Sequence, residues 1–277
     1  MTPTSSAAFS DASPAAREGA ARSERAAGSA PSPAALLAWF APYAIVSAVH
    51  VILRFAGHPL AEPTKLILMP ALVLAVLGAA ARIRPFPRAA ATVLVIGVLA
   101  SWLGDGAGTF FPTLPELPMM LACFGIAHLA YMWVFWRGAG IAVRPRVPIW
   151  AAAYALWWIV LIAVLGPHTG ALLVPVALYG LVLGGTATLS SRCGPVVAWG
   201  GVWFLVSDSI LAFRLFLPDA MPDWTSGMVM LTYCLGQGLI AAGVVRAAGR
   251  AADGAASSAG RAEAGSGISA GGDPVTR

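Results

Sequence analysis

Charge is what this sequence has least of. Aspartate, glutamate, lysine and arginine together make up 10% of the 277 residues, against about a quarter in a soluble domain, while 58% are hydrophobic. A chain of that balance cannot cover a water-facing surface, which excludes a soluble globular protein and leaves an integral membrane protein. Cysteine is scarce too, with Cys123, Cys193 and Cys234 all in apolar runs. An odd, scattered set excludes a disulfide framework and has no metal-binding spacing, so the cysteines read as packing and neither a metal nor a cofactor is expected. The net charge of +5 comes largely from arginines between apolar segments, so nucleic acid is not an expected partner.

What the chain does have is long hydrophobic runs. About 17 to 25 apolar residues make one crossing of a bilayer. Eight segments qualify, at roughly residues 34–55, 64–81, 89–104, 118–136, 147–165, 170–190, 195–216 and 225–245, most of them separated by Pro, Gly and Arg. The expected fold is an all-α integral membrane protein, a bundle of about eight transmembrane helices spanning 34–245. Residues 1–33 and 246–277 are rich in Ala, Ser, Gly or Pro and read as disordered tails. No charged n-region with a cleavage site precedes the first run, which is read as a retained helix.

Arginine sets the orientation. With the amino terminus inside, Arg82, Arg84, Arg88, Arg137, Arg144, Arg146 and Arg192 are cytoplasmic, both termini are cytoplasmic, and only Arg54, Lys65 and Arg214 face outward. The expected location is a cell membrane, the inner membrane of a bacterium. Lys65 is the one lysine of the chain. It and Arg214 are candidates for an anionic lipid phosphate, while Arg54 reads as a cation snorkelling to the interface. Trp39, Trp102, Trp136, Trp150 and Trp224 lie near segment ends, as an aromatic belt requires.

Two acids interrupt the runs, Asp105 at the end of the third and Asp208 inside the seventh. An intramembrane aspartate costs about 2.5–3.5 kcal/mol on insertion scales, so each is a candidate functional group and the other is its candidate partner. A rise of 1.5 Å per residue puts both roughly 20–24 Å along helices that run the same way, at one level. His128, Tyr179 and Tyr233 fall just beneath. Helical spacing joins Phe124, His128 and Tyr131 on one face and Tyr233 and Gln237 on another. Either face serves a cavity or interhelical hydrogen bonding, and spacing alone leaves both open. Ser207 flanks Asp208 without a nucleophile elbow, which argues against a serine hydrolase.

The segments 64–70 (Thr-Lys-Leu-Ile-Leu-Met-Pro), 103–105 (Leu-Gly-Asp), 124–131 (Phe-Gly-Ile-Ala-His-Leu-Ala-Tyr), 175–179 (Pro-Val-Ala-Leu-Tyr), 204–212 (Phe-Leu-Val-Ser-Asp-Ser-Ile-Leu-Ala) and 231–237 (Leu-Thr-Tyr-Cys-Leu-Gly-Gln) occur in this order. Together they resemble the lysoplasmalogenases, the YhhN family of bacteria and the TMEM86 family of animals. Leu66 and Thr186 depart from the family's usual proline and methionine. The resemblance implies a hydrolase that cleaves the vinyl-ether bond of a lysoplasmalogen, releasing a fatty aldehyde and glycerophosphoethanolamine or glycerophosphocholine. Asp105 and Asp208 would be its catalytic pair. Lys65, His128, Tyr131, Tyr179, Ser207, Arg214, Tyr233 and Gln237 would bind substrate, and the partners would be a lysophospholipid and membrane lipids. Two other classes place aspartates in membranes. One is a proton-coupled lipid or small-molecule transporter, although neither repeat symmetry nor broken midplane helices are visible. The other is an intramembrane aspartyl protease, whose Gly-x-Gly-Asp motif here has Trp102 in place of the first glycine. The oligomeric state is open.

The arginine asymmetry makes a direct prediction. Reporter fusions or cysteine labelling will find both termini cytoplasmic; a carboxy-terminal tag reached from outside intact cells would overturn that topology.

Overall fold

The computed structural model describes residues 33–269, apart from 84, 85, 139 and 142. Among the described residues there is no strand, and eight long helices form: α1 (Pro33–Phe55), α2 (Ala61–Ala80), α3 (Arg88–Asp105), α4 (Glu116–Arg137), α5 (Ala153–Thr169), α6 (Leu173–Ser190), α7 (Pro195–Phe216) and α8 (Thr225–Ser269). Helices follow from the composition, because in hydrocarbon a helix satisfies its own backbone groups while an open strand edge does not. Large apolar side chains point out of the bundle all around it, with Ile45, Ile52, Leu74 and Leu156 each more than 60% exposed. That surface suits lipid, not water.

Seven stretches are long and apolar enough to cross a membrane, and one of them, Ile149–Ser190, holds 42 residues. As a single helix it would run about 63 Å, twice the hydrocarbon thickness. The break comes at Gly170, whose φ of +55° a side chain would disfavour. The stretch therefore folds back as the hairpin α5–α6, pinned where Trp158 Nε1 donates to the Ala177 carbonyl at 2.9 Å. The result is a multi-pass bundle of eight long helices.

Seven helices close a ring in the order α1, α2, α3, α4, α6, α7, α8 and back to α1, while α5 lies outside it against α6 and α7. Tyr43 of α1 closes the seam by donating to the Cys234 carbonyl of α8 at 2.8 Å. We call the end of the bundle that carries the α1–α2, α3–α4, α5–α6 and α7–α8 connections the upper end.

Small residues set how closely these helices approach. A Cβ at Gly236 of α8 would stand 2.7 Å from the Phe204 amide nitrogen of α7, and one at Gly200 the same distance from that of Ile240. The two helices thus touch backbone to backbone. On α3, a Cβ at Gly97 or Gly104 would collide with the ring of Tyr131 or Phe124 of α4. Aromatic rings of α4 are seated directly on the α3 backbone.

Two sequence expectations meet a different structure. Residues 246–277 were expected to form a disordered tail from their Ala/Gly/Ser content, yet α8 runs on to Ser269. Alanine is the strongest helix former, and the helix first passes residue 245 with Ala247 and Ala248 buried. Of the expected belt, Trp136, Trp150 and Trp224 are exposed, but Trp102 turns inward and its Nε1 donates to the Leu66 carbonyl at 2.9 Å. The expected amino-terminal tail, up to residue 32, lies outside the described residues, as does 270–277.

Because the α7–α8 contact leaves no room for a side chain, Gly236→Val will force the helices apart at a cost of about 1–3 kcal/mol. A lowered unfolding temperature of the purified protein in detergent is the expected readout, and an unchanged one would show that the pair is not held so closely.

Candidate active site

Asp105 ends α3 and Asp208 lies in the middle of α7. Both line one cavity of about 110 Å³ near the upper end, together with Lys65, Ser207 and Tyr233. Each carboxylate is almost enclosed: the Asp105 side chain is 4% exposed and that of Asp208 9%. Buried charge of this kind persists only with partners, and both have them. Tyr233 Oη donates to Asp105 Oδ2 at 2.7 Å, and Lys65 Nζ stands 3.7 Å from its Oδ1. Tyr179 Oη donates to Asp208 Oδ2 in a short hydrogen bond, and His128 Nε2 lies 3.7 Å from the same oxygen. His128 is fully buried, edge-on to Phe204 with ring centroids 4.6 Å apart, and its Nε2 lies 3.3 Å from Tyr179 Oη.

Behind Tyr233 sits a second layer. Gln237 Nε2 reaches Ser101 Oγ at 2.9 Å and Tyr233 Oη at 3.3 Å, while Tyr131 Oη donates to Gln237 Oε1 at 2.7 Å. Ser101, Tyr131 and Gln237 have no exposure at all and do not line the cavity. Their place is among α3, α4 and α8, where they fix the phenol that fixes Asp105. Of the residues expected to bind substrate, Lys65, Ser207, Arg214 and Tyr233 line the cavity. His128, Tyr131, Tyr179 and Gln237 do not; His128 and Tyr179 support Asp208. Ser207 presents little, since its hydroxyl donates to the Val229 carbonyl at 3.0 Å.

The upper wall is cationic. Lys65, Arg54 and Arg214 all line the cavity. Trp102, through its bond to the Leu66 carbonyl, ties α3 to α2 one residue from Lys65. Arg214 holds the Pro222 carbonyl at 3.1 Å and also bonds Thr225 Oγ1. Arg54, expected at the interface as a snorkelling cation, also reaches this cavity, paired with the exposed Glu62 at 2.5 Å and bonded to Ser226 Oγ at 2.7 Å. The signal that would have found it is its position, since it is one of three cations on the arginine-poor side. A much larger hollow of about 630 Å³ lies between α5 and α7, but its walls are almost wholly apolar and it contains no acid. Convergence of charge, not size, marks the site.

The model of the YhhN family matches residues 60–244, two-thirds of the chain and every residue of the cavity except Arg54. The chain belongs to the YhhN family. Its curated relatives include lysoplasmalogenase TMEM86B of Rattus norvegicus, 30% identical over 131 residues, which are 47% of this chain and 52% of that protein. Lysoplasmalogenase TMEM86B of Homo sapiens is 30% identical over 138 residues, 46% and 53% of the two chains. The chain thus spans about half the length of the curated relatives it matches. No solved structure matches with comparable significance. This YhhN-family site therefore stands on its own geometry: two buried carboxylates, each with a tyrosine donor, one beside a lysine and one beside a histidine. Such a pair can pass protons to and from a molecule whose anionic end lies under the three cations.

Proposed function

We propose that the protein is a membrane lysoplasmalogenase, cleaving the vinyl-ether bond of alkenyl glycerophosphoethanolamine or glycerophosphocholine to a fatty aldehyde and the glycerophospho-alcohol. The observation that carries this reading is the placing of Asp105 and Asp208 on one cavity whose upper wall holds Arg54, Lys65 and Arg214. The names of the relatives point the same way. A lysophospholipid brings a phosphate and, a few bonds away, an acid-labile ether. Cations for the first and carboxyls for the second are what such a molecule needs.

The chemistry asks for one neutral and one ionised carboxyl. The neutral one protonates the β-carbon of the alkenyl chain, giving an oxocarbenium ion. Water, relieved of a proton by the ionised one, adds to the α-carbon. The resulting hemiacetal collapses to aldehyde and alcohol as the carboxyl that took the water proton gives it to the departing glycerol oxygen and the other takes the proton of the hemiacetal hydroxyl. Two acids in a site shielded from bulk water can take these different states because their neighbours differ.

Asp105→Asn and Asp208→Asn each keep shape and hydrogen bonding but cannot exchange a proton in this role. Each will lower turnover by roughly 10²–10⁴-fold with the protein still folded, and the double variant will be little worse than the weaker single one. The assay is mass spectrometry of products from purified protein offered alkenyl, alkyl and acyl lysophospholipids. Aldehyde from the alkenyl lipid alone supports the reading. Proton-coupled uptake into proteoliposomes with no aldehyde would replace it with a carrier.

The cations act on binding. Arg54→Gln and Arg214→Gln will raise KM several-fold with kcat nearly kept, as for interactions made equally in ground and transition states. Lys65→Met will lower kcat as well, because Lys65 is also the counter-ion of Asp105. Steady-state kinetics in mixed micelles separate the two cases, and an unchanged KM in all three variants would remove the phosphate from this wall.

A further inference from the structure

A second, narrower cavity of about 40 Å³ lies on the other side of Asp208, between α4, α6 and α7, with Leu161 of α5 as its far wall. It shares Met120, Phe124, Asp208 and Leu211 with the cationic cavity. Asp208 therefore belongs to both, and Asp105 to the cationic one alone. The remaining walls, among them Leu117, Leu121, Val176, Leu183 and Phe216, are apolar. Tyr179 also lines it, but its hydroxyl is committed to Asp208, which leaves the ring. From Asp208 to Phe216 the groove climbs about 12 Å along α7 toward the upper end. Its chemistry suits an unbranched hydrocarbon and nothing charged.

The geometry points to a division of labour that rests on the lysoplasmalogenase reading: this groove holds the hydrocarbon chain, Asp208 protonates the alkenyl β-carbon, and Asp105 activates the water. With the phosphate under Arg54, Lys65 and Arg214 and the chain between α4, α6 and α7, the O–CH=CH unit crosses the shared wall at Phe124 and Asp208. The β-carbon is then on the groove side, where Asp208 is the one carboxyl. The α-carbon and the glycerol oxygen are on the cationic side, with Asp105.

The partners of the two acids fit these roles. Asp105 has Lys65 at Oδ1 and Tyr233 at Oδ2, a setting for a carboxylate that begins the cycle charged. Among the described residues no lysine or arginine lies within ion-pair distance of Asp208; its neighbours are Tyr179 and His128, both at Oδ2, and Oδ1 has no hydrogen bond. The Asp208 carboxyl gives its proton to the β-carbon and becomes carboxylate. Asp105 takes a proton from water as the hydroxyl bonds to the α-carbon. In collapse Asp105 returns that proton to the departing glycerol oxygen, Asp208 takes the hemiacetal hydroxyl proton, and both acids are back in their starting states. Water is the sole co-reactant.

The order of steps is testable without turnover. In deuterium oxide, Asp105→Asn keeps the proton donor but lacks the base, so the oxocarbenium ion reverts by giving a β-proton back to Asp208. Unreacted alkenyl lysolipid recovered from that variant will carry deuterium at the β-position, seen by mass spectrometry and NMR. Lipid recovered from Asp208→Asn will carry none. Exchange in Asp208→Asn but not in Asp105→Asn, or in neither folded variant, overturns the assignment. The groove is tested separately by Leu183→Phe and Val176→Phe, which narrow it from two heights. Each will lower the kcat/KM ratio of a long over a short alkenyl chain by about tenfold or more, the scale on which apolar pockets discriminate length. A ratio unchanged in both removes the chain from the groove. If the wild-type protein releases no aldehyde from any alkenyl lysolipid, it is the hydrolase reading that fails; if it does, these outcomes bear on the division of labour alone.

Discussion

A carboxylate inside a hydrocarbon-thick bundle is tolerated only where donors reach it, and the architecture of this protein follows from meeting that demand twice. Tyr233 answers for Asp105 from across the ring, and Tyr179 for Asp208 from the neighbouring helix. Neither tyrosine is free to drift. Gln237 sits between Tyr233, Tyr131 and Ser101, so that α3, α4 and α8 are joined through one amide. A buried polar network is stable only when all its members are satisfied, which makes the helix register as consequential as the residues themselves.

Register comes from pairs of glycines and aromatic rings that carry no charge themselves. The backbone contact at Gly200 and Gly236 sets α7 against α8 and so sets Asp208 and Tyr233 at compatible heights. The rings of Tyr131 and Phe124, seated at Gly97 and Gly104, do the same for α3 and α4 and hold Ser101 and Asp105 at theirs. Trp102 then brings the first turns of α2, and with them Lys65, to Asp105. Packing of the most ordinary membrane kind thus determines where an acid meets its counter-ion.

Much of this was legible in the residues. The span of α7 coincides with its expected bounds because Gly194 and Pro195 mark one end and a loop rich in Pro and Asp the other. Asp105 and Asp208 stood out because no other acid falls in or at the end of an expected span. Less legible was which way a polar face looks. Spacing placed His128 with Tyr131 and Tyr233 with Gln237 correctly on helix faces, but whether a face meets a cavity or another helix depends on neighbours far away in sequence. Tyr131 and Gln237 turned out to meet helices. The place of Arg54 on the cavity was hidden for the same reason, since a cation near a helix end looks like an interfacial anchor and nothing more until its bond to Ser226 is seen. The continuation of α8 beyond residue 245 had a signal in its alanines, outweighed by the glycines and serines among them.

The seam between α1 and α8 has a bearing on biosynthesis. Tyr43 and Cys234 are separated by 191 positions, so α1 waits for α8 before the ring can shut. Until then Asp105 lacks its tyrosine. A chain stalled before α8 has its acids in place and no enclosure around them, an exposed intermediate rather than a partly working one.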